Sequence, residues 1–155
     1  MNPLNELART LRALHARLLQ CARAQYLREH ADAGEIGTGE MLMLATQHEE
    51  FAWLRSLSEL MAEVDELRED LPATQAASLQ AAVRGAVDEL LATHSRAATP
   101  FQVRYWQYVH EDPEVAMAHA GLRQALQGLP APAAGGRDAM SLHLQSRTPR
   151  SPVRK

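Results

Sequence analysis

Apolar residues near the start of the chain recur at strict intervals of three or four: Leu4, Leu7, Leu11, Leu14, Leu18 and Cys21, with Gln25 closing the row. That spacing keeps them on one face of an α-helix. Its regularity makes the face a heptad seam, narrower than the apolar stripe of most globular helices. Asn2 suits the N-cap, and Pro3 suits the first helical position, where a missing N–H costs nothing. The pattern predicts a helix from Pro3 to Ala31. Gly34 follows and can take the left-handed conformation that ends helices.

Gly34-Glu35-Ile36-Gly37-Thr38-Gly39 reads as a connector, and Thr38 can cap a short helix over 39–46. Thr46-Gln47-His48-Glu49 has the capping-box form, so a new helix is expected over 49–70. The alternative is one continuous, kinked helix. In 49–70 the apolar positions form two rows: Trp53, Leu57, Leu60, Val64, Leu67, Leu71, and Phe51, Leu54, Met61. Together they cover well over a third of the helix surface, the mark of a helix with several neighbours. Its remaining edge is acidic (Glu59, Glu63, Asp65, Glu66, Glu69, Asp70), whereas the first helix carries Arg9, Arg12, Arg17, Arg23 and Arg28. Antiparallel packing of the two would pair these charges.

Pro72 is expected to open a helix over 72–95 with Leu79, Val83, Val87, Leu90 and Leu91 inward. Thr99-Pro100-Phe101-Gln102 is a second capping box and starts a helix to Glu111. Asp112-Pro113-Glu114 starts another, to Gln127, with Val115, Ala118 or His119, Leu122 and Leu126 on its stripe. Nothing alternates with period two over a useful length. The expected fold is therefore all-α: an up-and-down bundle of four main helices with one or two short ones, spanning 1–129. From Pro130 the composition turns to Pro, Ala, Gly, Ser and Arg, which predicts a disordered basic tail over 130–155. Its removal is then expected to leave the melting temperature almost unchanged.

Composition narrows the class. Hydrophobic residues make up 46% of the 155 positions and charged residues 23%, ordinary for a soluble globular domain. The longest dense apolar run, Met41 to Ala45, is five residues, far below the ~18 that span a bilayer. No secretory signal pattern opens the chain, and a single Cys21 cannot form an internal disulfide. A cytoplasmic location, away from membranes, is expected. Five cations and one anion follow Pro130, giving that end +4; with a total of −3, residues 1–130 carry −7. Such a body repels phosphate backbones, so nucleic acid is not an expected partner.

The search for chemistry is mostly negative. Glu89 to His94 and Glu114 to His119 are each five apart, not the three of a di-iron Glu-x-x-His motif. There is no His-Glu-x-x-His zinc motif, Walker loop or G-x-S-x-G elbow. A metal would have to draw on distant His48, His94, His110 and His119. Gly34-x-x-Gly37-x-Gly39 reverses the dinucleotide fingerprint and follows a helix, so it reads as a loop. Cys21 lies on the leucine seam and is expected to be buried and inert. No catalytic residue, metal ligand or cofactor is assigned. His119 stands out because it takes a core position, four after Val115 and three before Leu122. Tyr105, Trp106 and Tyr108 suit a core and can also stack on a ligand.

The segments Gly39-Glu40-Met41-Leu42-x-Leu44, Phe51-x-Trp53-Leu54-Arg55-x-Leu57-Ser58-x-Leu60, Phe101-x-x-Arg104-Tyr105 and Pro113-x-Val115-x-x-Ala118-His119 resemble a group of small bacterial all-helical proteins, a domain of unknown function. The resemblance covers most of 1–128. It implies a single helical domain and transfers no activity or functional residue. The favoured reading is a non-catalytic interaction or regulatory protein with a protein partner. The seam and the split of charge suggest a homodimer. The competing reading is a small-ligand or metal sensor with a cavity near Trp53, Arg55, Tyr105 and His119, with His48 as a further candidate. Arg55 beside Trp53 would suit an anionic or planar ligand.

Overall fold

A computed structural model describes residues 2–30, 37, 40, 49–93 and 97–147. The expected short helix over 39–46 and His48 lie outside the described residues, apart from Glu40, which is helical.

Every regular element among the described residues is helical. Helix α1 spans Pro3–Glu29, and Asn2 caps it as expected, its side-chain oxygen accepting the Leu4 N–H at 2.9 Å. The seam from Leu4 to Cys21 is buried within the chain itself. It faces the chain's other helices and offers nothing to a second copy, so the seam no longer argues for a homodimer. The ion pairs also differ from expectation. Arg17 of α1 reaches Asp112 (2.7 Å) and Glu114 (2.9 Å), at the start of a later helix.

The expected helix over 49–70 breaks in two. Helix α2 is the short Glu49–Ala52, and α3 runs Arg55–Glu69. Between them the Leu54 N–H donates to the Phe51 carbonyl at 3.1 Å, a tighter turn than an α-helix makes. Phe51, Trp53, Leu54 and Leu57 are all buried. At about 100° per residue, a regular helix would spread these four over roughly 160° of its circumference. The turn resolves the two overlapping apolar rows.

Helix α4 spans Ala76–Leu90, shorter at both ends than the expected 72–95. Pro72 does not open it; its carbonyl accepts the Gln75 N–H in a separate turn at 3.0 Å. Helices α5 (Pro100–Glu111) and α6 (Pro113–Gln127) start where the caps predict. Thr99 and Gln102 close the capping box reciprocally. Asp112 accepts the Glu114 and Val115 N–H groups and is the one residue between the helices.

The expected disordered tail is corrected over 136–147, while 148–155 lie outside the described residues. Gly136–Arg147 form a further helix, α7, which packs on α4 and α3 with Met140 fully buried. Its apolar content is low, but its approach is close. Gly85 of α4 lies against the Ala133 backbone, and Gly136 against the Ala82 backbone. The Ala133 N–H donates to the Ala81 carbonyl (3.1 Å), and the Arg84 guanidinium donates to the Leu129 carbonyl (3.0 Å). Gly135, at φ +66°, makes the left-handed turn into α7. Arg137 pairs with Glu63 of α3 at 3.0 Å, taking a carboxylate expected to face α1. Helix α1 packs against α2, α3, α5 and α6, while α3 joins α1 to α4 and α7. No helix among the described residues is long and apolar enough to cross a membrane.

Candidate functional site

On α5, Phe101, Tyr105 and Tyr108 repeat at four and three and face the core. Trp106 stands one step round the helix, half-buried, and its indole N–H donates to the Leu91 carbonyl at 3.1 Å. On α6, His119 shares its stripe with Val115 and Leu122 but is only half-buried. The Asp112 turn brings the two helices together. Tyr105 Oη lies 2.5 Å from His119 Nδ1, and the Trp106 ring meets the imidazole edge-on at 5.1 Å.

The protonation pattern follows from burial. Tyr105 is fully enclosed, which pushes its hydroxyl pKa up and keeps its proton on. Burial, then the Arg123 charge, pushes His119 below the usual histidine range, so its ring is neutral at pH 7. A buried phenol needs an acceptor, and among the described residues this hydroxyl meets no other. Tyr105 therefore donates to Nδ1, and the ring proton sits on Nε2. His119 lines a surface groove of about 390 Å³ with Asp88, Leu91, Ala92, Thr93, Trp106 and Arg123. Arg123 Nη1 donates to Asp88 Oδ1 at 3.1 Å, bridging α6 to α4 across the groove.

The expected site residues separate. Tyr105 and His119 are joined. Trp53 is buried against Phe101 and Tyr108, with ring centroids 5.9 Å from each, and does not line the groove. Arg55 is exposed on α3 and does not line it either. His48 lies outside the described residues. The common cavity expected for Trp53, Arg55, Tyr105 and His119 is therefore replaced by a groove that uses only His119 directly. The sequence offers Trp106 only as a residue that can stack on a ligand, and it does not single out Arg123 or Asp88. A signal was present for two of them: Trp106 adjoins Tyr105, and Arg123 is one helical turn after His119.

A second polar cluster sits where α1 meets the α5–α6 turn. Cys21 is buried, and its S–H donates to Asp112 Oδ2 at 3.3 Å. Burial first, and then the neighbouring carboxylate, push the thiol up to about 11, so it stays protonated and is a poor nucleophile. The Arg17 guanidinium, helped by the thiol and the cap N–H groups, holds Asp112 down at about 2. The cavity beside it, about 300 Å³, is lined by Arg17, Gln20, Arg28, Tyr108 and Glu111 among others. The cluster ties α1 to the helix turn. Among the described residues, no group of three or more His, Cys, Asp or Glu could hold a metal ion.

Set against known proteins, the chain matches no family model, no curated protein and no solved structure.

Proposed function

We propose that this chain is a non-catalytic interaction or regulatory protein, arranged as an up-and-down helical bundle, that binds through the outer face of α5 and α6. The observation that carries this reading is the half-buried Trp106, fixed by its N–H bond to Leu91 and set edge-on to His119 beside Arg123. Tryptophan and arginine dominate the energetic centres of interfaces, above all when held rigidly in a partly formed pocket. Val103, one turn before Trp106, is 58% exposed and extends the apolar surface along α5. A catalytic role gains no support from the two groups best placed to react. His119 has its basic nitrogen occupied by Tyr105, and the Cys21 thiol is protonated.

A small-ligand reading is favoured by one feature, the groove itself. At about 390 Å³ it lies within the size range of small-molecule sites, and it brings polar donors to an aromatic wall. A homodimer would have to use a face other than the α1 seam. The test is native mass spectrometry of untagged protein from its own source, prepared without chelators, on wild type and Arg123→Ala. Arg123 is 54% exposed, so the variant should fold. A bound protein subunit lost in the variant supports the interaction reading. An added mass of a small molecule, lost in the variant, supports the ligand reading. Cargo of either kind kept undiminished by the variant overturns this face as the binding site.

A further inference from the structure

We propose that the groove beside His119 is a subsite for a carboxylate carried on a flat apolar group. The inference rests on the small-ligand reading of this groove and specifies its ligand.

The argument starts from Tyr105. Its hydroxyl donates to Nδ1 and thereby fixes the tautomer of His119. The other ring nitrogen of His119, a residue that lines the groove, then carries an N–H donor and no lone pair to receive one. Arg123 supplies further N–H donors. Asp88 engages its Nη1, and a guanidinium has five N–H groups in a planar fork. Trp106 has already spent its own N–H on Leu91, so it offers the groove only an apolar ring surface. A wall with two sets of donors, one of them cationic, beside an aromatic surface selects an acceptor with negative charge and an adjoining flat apolar body. A carboxylate is planar and matches the guanidinium fork. Asp88 also lines the groove, but its Oδ1 is engaged by Arg123 Nη1, so the selection for an acceptor rests on the other N–H groups of the guanidinium fork and on the imidazole. Tyr105 is a positioning residue here: it is enclosed and acts only through the ring it orients.

Two sources supply this chemistry, a free aromatic acid and the C-terminal carboxylate of a chain ending in an aromatic residue. The probes are indole-3-acetate with its amide, and Gly-Gly-Phe with a free or an amidated end. Binding to the full chain is measured by calorimetry and by the fluorescence of Trp106 in a Trp53→Phe background. Saturable binding of one or both acids, with each amide about tenfold weaker or worse, is expected. Arg123→Gln should weaken the acid about tenfold and leave the amide unchanged. The acid that binds more tightly identifies the source. In wild type, ¹⁵N shifts of the His119 ring should report the Nε2–H tautomer. In Tyr105→Phe they should report a mixture, with weaker acid binding at unchanged fold. Equal binding of acid and amide overturns the carboxylate assignment while leaving the groove a ligand site. Failure of every probe at millimolar concentration overturns both.

Discussion

Glycines at two helix interiors make opposite predictions for the same substitution. In an unhindered helix, Gly→Ala removes backbone freedom from the unfolded chain and stabilises by about 0.5–1 kcal/mol. Gly121 in α6 meets that condition, since a Cβ there would touch nothing within 4 Å. Gly85 in α4 does not. A Cβ there would overlap the Ala133 carbonyl oxygen and lie 3.2 Å from its carbon and 3.3 Å from the Ala133 nitrogen. Those atoms are backbone and cannot rotate aside. The segment leading into α7 would have to move outward by roughly an ångström or more, the gap left to normal van der Waals contact. That shift strains the Ala133 N–H bond to Ala81 and the Arg84 bond to Leu129. Overpacking of this kind costs about 1–3 kcal/mol, more than the helix gain returns. Gly85→Ala should therefore lower the urea midpoint, and Gly121→Ala should raise it. With roughly 2–4 °C per kcal/mol for a chain of this size, thermal melts should separate the two by several degrees. Equal stabilisation by both would refute the docking of α7 against α4.

Further outcomes follow from the packing and the charges. Met140→Ala should cost about 2–5 kcal/mol, and removal of 136–155 should lower the melting temperature clearly, contrary to the composition-based expectation; an unchanged melt would mean α7 contributes no packing. Trp53→Ala should cost about 3–5 kcal/mol by chemical denaturation, because the ring fills the space between Phe101 and Tyr108; a loss under about 1 kcal/mol would contradict that burial. Asp112→Ala should cost about 0.5–2 kcal/mol at neutral pH through the lost α6 cap. Asp112 has its folded pKa depressed to about 2, so its contribution is complete above its ordinary value of 3.8 and fades as pH falls toward 2; a pH-independent gap between wild type and variant would refute it. His119 also has a lowered folded pKa, but it is a base, so below about pH 6.5 the unfolded chain binds more protons and the fold weakens. Denaturation at pH 7 and pH 5 should show a smaller loss in His119→Gln than in wild type.

Caps and seams were the parts of the fold that the sequence expressed plainly, because each depends on a few adjacent residues. The Thr99–Gln102 box and the Asp112 cap place α5 and α6 at their expected ends. Helix α7 was hidden for a physical reason. Its docking depends on Gly85 and Gly136, where contact is backbone against backbone, and such contact leaves no apolar periodicity to detect. The break at Trp53-Leu54 was hidden differently. Two apolar rows on one helix and a single inward row interrupted by a turn produce the same string of letters.

The Tyr105–His119 pair was half legible. Both residues lie seven positions from Asp112, and seven residues of helix rise about 10.5 Å. A hairpin turning at Asp112 thus sets them at the same height, so their pairing was implicit once that residue was read as the whole connection. What the spacing could not supply was exposure, and exposure separates the two tryptophans. Both sit in aromatic-rich stretches of similar composition. Trp53 is enclosed by Phe101 and Tyr108, where its ring contributes packing. Trp106 keeps one face at the surface while its N–H is tied down, so it offers a rigid apolar wall at little further entropic cost on binding. The sequence points to a cavity near Trp53, Arg55, Tyr105 and His119, because Arg55 beside Trp53 would suit an anionic or planar ligand. In the fold the cation that lines a groove with the half-buried Trp106 is Arg123, which reaches it from α6 across from Asp88 on α4. Substituting Arg123 rather than Arg55 is thus the change that tests the proposed binding face with the fold intact.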